Sequence, residues 1–174
     1  TTTSTPPSPS PSPSPSPSPS PPPPQSPKRS PPPPPLSPST CKPSSIVICR
    51  GQRYSTYTCS PQVNFSTRAR LTYKDFNNHK SGPSLCDGKY HMDSESVVAL
   101  STGWYNNGSR CGVTIKITTI NGKSTTAKVV DECDSVHGCN RENGFQPPCG
   151  NDIIVGSPAV FRSLGLGLVN DPFI

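Results

Sequence analysis

The sequence predicts a small all-β domain that closes into a barrel, is braced by disulfides and carries one short helix near its C-terminal end. Three observations support this fold class. Short segments of alternating apolar and polar residues are separated by turn signals. Helix signals are concentrated in one segment near the end of the chain. All eight cysteines lie after residue 40, which is typical of a small disulfide-stapled domain.

The first forty residues consist almost entirely of proline, serine and threonine. Such a segment cannot bury enough apolar surface to offset the entropy that it would lose on ordering. Alternating Ser-Pro at 8–20 and the proline blocks that follow favour a solvated polyproline II rod. We therefore predict two parts, a disordered Ser/Pro-rich tail at 1–40 and one folded domain at 41–174.

The cysteines predict four disulfides, and their spacing leaves the pairing open. An even number of cysteines in a small domain indicates an oxidising compartment. The chain begins at Thr1 with neither an initiator methionine nor an apolar leader, so we expect a secreted protein whose signal peptide has been removed. The cysteines are Cys41, Cys49, Cys59, Cys86, Cys111, Cys133, Cys139 and Cys149.

Two Asn-x-Ser sequons, at Asn64 and Asn107, fit a secreted glycoprotein and are the candidate glycosylation sites.

The formal net charge is +6, of which Lys28 and Arg29 supply two charges. This excess either draws the protein to acidic polysaccharides and proteins or is an ordinary solvated surface. Basic residues with interleaved aromatics are not found, which argues against nucleic-acid binding, and no apolar run is long enough for a membrane span.

The first folded elements are predicted between 41 and 100. Closely spaced cysteines surround an apolar run at 46–48 and an alternating segment at 53–58, which predicts a disulfide-clamped ribbon. Turn signals at 60–90 predict loops that enclose a short strand at 71–73. The apolar run at 97–100 predicts a buried strand, and a polar, aromatic loop at 102–109 follows it.

A β-hairpin is the clearest local signal in the chain. Val113, Ile115 and Ile117 alternate with polar residues, and the alternation resumes at Ala127 and Val129. Between them, the dipeptide Asn-Gly at 121–122 predicts a two-residue type I′ turn.

The helix is predicted to start at 158. Ser157 is a suitable N-cap, Pro158 suits the first turn and Gly165 can end the helix in the left-handed conformation. The apolar residues of one helical face are Val160, Phe161 and Leu164. One helix beside several strands predicts a small barrel with an accessory helix.

Asp131, Glu132 and Asp134 follow each other at the end of a predicted strand. Paired carboxylates serve as acid and base in glycoside hydrolysis, but neighbouring residues on a strand point to opposite faces. We therefore expect that Asp131 and Glu132 do not line one cleft, that hydrogen bonds hold Asp131 and that Glu132 is solvated.

Cys133, His137 and Cys139 could be zinc ligands, but the cysteines of a secreted domain are oxidised and no fourth ligand lies at a recognised spacing. We predict neither a metal nor a cofactor. A serine or cysteine nucleophile motif is also missing, and no partner spacing singles out His79, His91 or His137.

Trp104 and Tyr105, with Asn106 and Asn107 after them, could form a platform that binds a partner or stacks on a sugar. The alternative is that Trp104 caps the barrel core. Of the two aromatic residues, Tyr105 is predicted to be the more exposed.

Several motifs resemble the kiwellin, or ripening-related, proteins of plants. The most specific are Ala-Leu-Ser-Thr-Gly-Trp-Tyr-Asn-Asn-Gly-Ser-Arg-Cys-Gly at 99–112 and Val-Val-Asp-Glu-Cys-Asp-Ser at 129–135. The resemblance extends from Cys41 to about Val169, and its shorter motifs lie at 41–44, 49–51, 57–61, 137–139 and 146–149.

The resemblance implies a six-stranded double-psi β-barrel, as in barwin and the expansin catalytic-like domain. It also implies a secreted defence or ripening protein of the plant cell wall and apoplast. Some members of the family bind enzymes secreted by fungal pathogens, such as chorismate mutase. The candidate partner-binding residues are Trp104, Tyr105, Asn106, Asn107, Asp134 and His137.

This chain departs from the family pattern in three places. Val155 stands where the family has an aspartate, which weakens the case for catalysis. Pro172 cannot donate to a strand ladder, so the last strand is predicted to be short and the barrel to close imperfectly. The tail at 1–40 stands where some members have a cysteine-rich module, and its repeats resemble those of extensins and arabinogalactan proteins, which implies anchoring in the wall.

We therefore predict a monomeric, non-enzymatic binding protein that recognises a secreted microbial protein. The first alternative is an expansin- or endoglucanase-like wall enzyme that uses Asp131 or Asp134. The second is passive binding of wall polysaccharide through the positive charge and Tyr105.

Overall fold

A computed structural model describes residues 9–10 and 41–168. The predicted disorder of the tail and the predicted short strand near Pro172 fall outside these residues, except for Pro9 and Ser10, and the domain boundary at 40/41 stays a prediction. The strands are β1 Ser45–Cys49, β2 Gln52–Thr56, β3 Arg70–Tyr73, β4 Val97–Ser101, β5 Thr114–Thr118, β6 Ser124–Cys133 and β7 Ile153–Gly156. The helices are α1 Thr102–Tyr105 and α2 Pro158–Leu164, and a 3₁₀ turn spans His79–Ser81.

The strands form two sheets. β1 and β2 pair as an antiparallel ribbon, as the sequence predicts. The other five strands form a mixed sheet in the order β3-β7-β4-β6-β5. β4 lies at its centre, parallel to β6 and antiparallel to β7. The mainly β class is confirmed, whereas the predicted six-stranded barrel is not, because the sheet has five strands in the part of the chain that is described.

Both faces of the central strand are buried, and each belongs to a separate apolar cluster. One cluster packs Val98 and Leu100 against Trp104 and the helix residues Val160 and Leu164. The other cluster packs Val97, Ala99 and Val130 with Phe76 and β7 on the opposite face. A buried strand at 97–100 is therefore confirmed, and all five residues of β4 are buried.

Helix α2 begins and ends as the sequence predicts, but Ser157 does not cap it with its side chain. The Ser157 hydroxyl donates to the Glu95 carbonyl at 2.7 Å and accepts from the Val97 amide at 3.2 Å. Its role is to join the start of α2 to the start of β4. Gly165 ends the helix with φ +66°, in the left-handed region that glycine favours.

Two local predictions need correction. The predicted loop at 102–109 begins with the helical turn α1, and the left-handed Asn106 closes it by donating its amide to the Thr102 carbonyl. The β5–β6 hairpin is confirmed, but the type I′ turn is wrong. That turn needs two residues with positive φ, and in the segment between the strands only Gly122 has one.

Four disulfides are confirmed, and their pairing is now defined: Cys41–Cys59, Cys49–Cys139, Cys86–Cys111 and Cys133–Cys149. The first two hold the β1–β2 ribbon, one at its open end and one at its tip. Four disulfides in a domain of this size are typical of extracellular proteins. Neither helix in the described ranges has the length and apolar character needed to cross a membrane.

A buried imidazole fixes the loop that precedes β4. The His91 side chain is only 4% exposed; its Nδ1 atom lies 3.0 Å from Glu95 Oε2, and its Nε2 atom lies 3.3 Å from Asp87 Oδ2. The Met92 amide also donates to Glu95 Oε1. The hydrogen bond from His91, followed by the one from Met92, holds the pKa of Glu95 below its ordinary value of 4.5.

We expect Glu95→Gln to lower the stability at neutral pH and to flatten the dependence of stability on acid pH. Because the folded-state pKa of Glu95 is depressed, its carboxylate stabilises the fold above about pH 4.5. That contribution is lost as the pH falls through the folded-state pKa. Urea unfolding between pH 7 and pH 3 measures it, with the exposed Glu142→Gln as the matched control. Parallel pH profiles for wild type and Glu95→Gln would contradict the role.

Candidate functional site

The carboxylates at the end of β6 open into a groove. Its volume is about 680 Å³, and Asp131, Glu132 and Asp134 line it. The other walls come from residues at 74–85, which follow β3, and from the loop at 142–146. The prediction that Asp131 and Glu132 cannot line one cleft is therefore wrong. Asp131 and Glu132 lie opposite consecutive residues of β4, Ala99 and Leu100, so the groove reaches side chains from both faces of the strand end.

Asp131 is the most deeply placed acidic residue of this groove, with a side chain that is 7% exposed. The Lys74 ammonium donates to Asp131 Oδ2 at 2.9 Å, and the Leu85 amide donates to Oδ1 at 3.1 Å. The Lys74 ammonium also lies 5.0 Å from the centre of the Phe76 ring. Hydrogen bonds hold Asp131, as the sequence predicts, and both of its oxygens are occupied.

Glu132 is half-buried and does not stand free in solvent, so the prediction that it is solvated is wrong. The Thr102 hydroxyl donates to Glu132 Oε1 at 2.6 Å, and the same hydroxyl accepts from the Ser135 amide at 2.8 Å. These bonds join the end of β6 to the first turn of α1. Glu132 therefore has a structural partner beside the groove.

Asp134 and His137 form a turn at the groove's edge. Asp134 Oδ1 accepts from the amides of Val136 and His137, each at 2.8 Å. Asp134 Oδ2 lies 3.0 Å from His137 Nδ1, and the His137 side chain is 69% exposed. The carboxylate thus orients an imidazole that is largely exposed.

A second groove adjoins the first and shares Glu132 and Asp134 with it. Its volume is about 430 Å³, and Val155 and Tyr73 contribute to its lining. Burial, followed by the nearby charges of Asp75 and Asp93, raises the pKa of Tyr73. The second groove thus has an apolar side chain, Val155, beside the carboxylates of Glu132 and Asp134 in its lining.

Trp104 and Tyr105 do not form an exposed platform. Trp104 is 5% exposed and Tyr105 is 9% exposed, and both belong to the cluster that packs against α2. The Trp104 indole donates to the Pro61 carbonyl at 2.7 Å. Burial, followed by the negative charges of Glu132 and Asp131, raises the pKa of Tyr105. The predicted exposure of Tyr105 is wrong, and Trp104 is a core residue.

Asn106 and Asn107 are exposed beyond α1, with φ of +50° and +52°, and neither lines the two grooves. Asn64, in the other sequon, is also exposed, and its Oδ1 accepts from the amide and hydroxyl of Ser66, each at 2.8 Å. Glycosylation at Asn64 and Asn107 stays a prediction.

The structure thus separates the six candidate partner-binding residues into a buried pair, an exposed asparagine pair, and Asp134 with His137, which both line the second groove. Sequence reasoning missed Lys74, Asn143 and Gln146. No local signal could have found Lys74, because it lies 57 residues from Asp131 and their contact depends on the order of strands in the sheet.

Within the described residues, no cluster of three or more histidine, cysteine or acidic side chains could hold a metal ion.

Comparison with known proteins places the chain in a family. Kiwellin from Actinidia chinensis var. chinensis is 57% identical over 131 residues, which cover 74% of this chain and 62% of the relative. Ripening-related protein grip22 from Vitis vinifera is 57% identical over 134 residues, which cover 75% and 61%. The chain therefore spans about three fifths of the length of these curated relatives.

Among solved structures, apo expansin from Clavibacter michiganensis is similar with a TM-score of 0.41 and 24% identity, over 57% of this chain and 43% of that chain. A family model described as Kiwellin-1 matches residues 37–171. The resemblance seen in the sequence motifs is confirmed. Because the family model covers most of the chain and the two relatives agree with it, the protein belongs to the kiwellin family.

Proposed function

We propose that the protein is a non-enzymatic binding protein of the plant apoplast and cell wall. In this proposal, the groove at the end of β6 engages a protein secreted by a microbe, for which a fungal chorismate mutase is the first candidate. The observation that carries the proposal is the environment of Asp131. Both of its oxygens are occupied, one by the ammonium of Lys74 and the other by the amide of Leu85.

An acid/base carboxyl must instead be within hydrogen-bond reach of the proton that it transfers. Asp131 has a cation beside it, and Glu132 is bonded to Thr102. Across the second groove, Val155 supplies no carboxylate. The arrangement therefore favours a rigid, polar recognition surface over acid/base chemistry.

His137 is the best placed contact residue in this surface. It is exposed, and Asp134 and two backbone amides fix the turn that carries it. A side chain that is already oriented loses little conformational entropy when a partner binds. The proposal thus assigns His137 a binding role that needs no proton transfer.

We expect purified chorismate mutase from a fungal culture filtrate to form a saturable complex with the full chain, and His137→Ala to weaken it roughly tenfold. Titration calorimetry measures both, with the exposed Lys116→Ala on β5 as the control. Equal affinity for wild type and His137→Ala would remove the groove from the interface. If neither this enzyme nor any other protein in the filtrate binds, the proposed function fails.

The alternative is an expansin- or endoglucanase-like activity in the same groove. It is supported by three carboxylates that share one open, polar groove. This alternative predicts that the intact protein releases soluble sugars from wall glucan and that Asp131→Asn abolishes the release while the domain stays folded. Sugar release that depends on Asp131 would overturn the non-enzymatic proposal.

A further inference from the structure

The β1–β2 ribbon exposes branched apolar side chains that nothing in the described residues covers. Ile46 is 49% exposed and Ile48 is 66% exposed. The register pairs Ile46 with Ser55 and Ile48 with Arg53. Residues that alternate on a strand, and residues directly opposite on its partner, share one face. We call this set, Ile46, Ile48, Arg53 and Ser55, the ribbon face.

The ribbon face is held rigidly. Disulfide Cys41–Cys59 closes the open end of the ribbon, and disulfide Cys49–Cys139 ties its tip to a distant part of the chain. An isolated two-stranded ribbon is otherwise marginally stable in water. A surface fixed in this way has little backbone entropy left to lose on binding, which favours its use as a docking site.

The segment of the chain that contains the ribbon face carries charges of one sign. No aspartate or glutamate occurs between Cys41 and Lys74. Of the cations in that segment, Arg70 pairs with Asp152 and Lys74 pairs with Asp131. Three other cations belong to the ribbon or adjoin it: Lys42, Arg50 and Arg53. In the described part of the chain, none of these three forms an ion pair with a carboxylate.

We propose that the ribbon face docks an acidic surface of a partner protein. An apolar patch of that partner covers Ile46 and Ile48, and its carboxylates pair with Arg53 and with the neighbouring Arg50. The proposal rests on the proposed function, in that the chain binds another protein. It adds a second contact surface, whose charge is opposite to the net charge of the groove. The groove holds four carboxylates and two ammonium groups, from Asp131, Glu132, Asp134, Glu142, Lys74 and Lys80.

Other occupants fit the ribbon face less well. An acidic polysaccharide could pair with the arginines, but it offers no apolar patch to two isoleucines. A second copy that docked through the same face would bring unpaired cations against cations, which is unfavourable. The tail at 1–40 contains no carboxylate. Charge and apolarity together therefore point to an acidic protein.

The test uses the full chain and two matched pairs of variants. Arg53→Glu is paired with Lys116→Glu, which also replaces a cation with a carboxylate, at an exposed position on strand β5. Ile48→Ser is paired with Ile120→Ser, which removes an exposed isoleucine at the β5–β6 turn. All four positions are exposed, and thermal unfolding of each variant checks that the fold is kept.

The probe is the secreted protein that the wild-type chain retains from fungal culture filtrate, identified by mass spectrometry and then purified. We expect Arg53→Glu and Ile48→Ser each to weaken its binding at least tenfold and the paired controls to change it less than twofold. Added salt should weaken wild-type binding and have less effect on Arg53→Glu, since the lost attraction is electrostatic.

The possible failures are distinct. If the ribbon variants bind the probe like wild type while His137→Ala does not, the ribbon proposal is overturned and the proposed function stands. If wild type retains no protein, both fail. Binding of polygalacturonate that Arg53→Glu abolishes and Ile48→Ser leaves unchanged would assign the face to polysaccharide. Concentration-dependent dimers that Ile48→Ser dissociates would assign it to a second copy.

Discussion

Removal of the Cys49–Cys139 disulfide, by changing both residues to alanine, is expected to lower the free energy of unfolding by about 2–5 kcal/mol, toward the upper end of that range. The two cysteines are 90 residues apart, and the other three disulfides span 16 to 25 residues. Because the longest loop restricts the unfolded chain most, its loss should cost the most. Urea unfolding under non-reducing conditions measures the change.

The matched control is the Cys41Ala/Cys59Ala variant, which opens a loop of 18 residues at the other end of the same ribbon. Loop-closure entropy alone makes its loss about 1 kcal/mol smaller than that of the long-range pair. An equal or larger loss for the short loop would show that the Cys49–Cys139 bond does not act mainly through the unfolded chain.

Asp131→Ala is expected to destabilise the domain by about 1.5–3 kcal/mol, because it removes the partner of the part-buried Lys74 ammonium. The same change also removes the acceptor of the Leu85 amide, whose hydrogen bond is part-buried. A donor left without a partner in such a place adds to the loss. Thermal and urea unfolding at neutral pH measure the effect.

Two further variants separate the sources of this loss. Asp131→Asn keeps an acceptor for the Leu85 amide, so it should cost less than Asp131→Ala. In a double-mutant cycle with Lys74→Ala, the two single losses should exceed the loss of the double variant by about 0.5–3 kcal/mol. Simple additivity would mean that the 2.9 Å contact between Lys74 and Asp131 contributes nothing to folding.

Local sequence patterns predict most of the elements. Alternation and turn residues place the ribbon, β3 and the β5–β6 hairpin, because strand periodicity and turn chemistry act over a few residues. The start and end of α2 also follow from Pro158 and Gly165. The type I′ prediction fails because Asn-Gly serves more than one hairpin geometry, and the one formed needs a positive φ only at Gly122.

The site could not be derived in the same way, because its contacts are distant in sequence. The partners of Asp131 are 57 and 46 residues away. Ser157 reads as a helix cap, and only the packing of α2 against β4 shows that its hydroxyl is used elsewhere. Tyr105 is polar enough to be exposed, yet the turn α1 directs it into the core. Each of these outcomes depends on tertiary packing.

The central position of β4 has a consequence for how the molecule opens. Its five residues are buried and pair with β6 on one side and β7 on the other, so their amides should exchange with solvent only through global unfolding. The ribbon has no such cover, and disulfides fix it at both ends. Its amides should therefore exchange sooner than those of β4, although the disulfides keep the ribbon backbone in place for a partner.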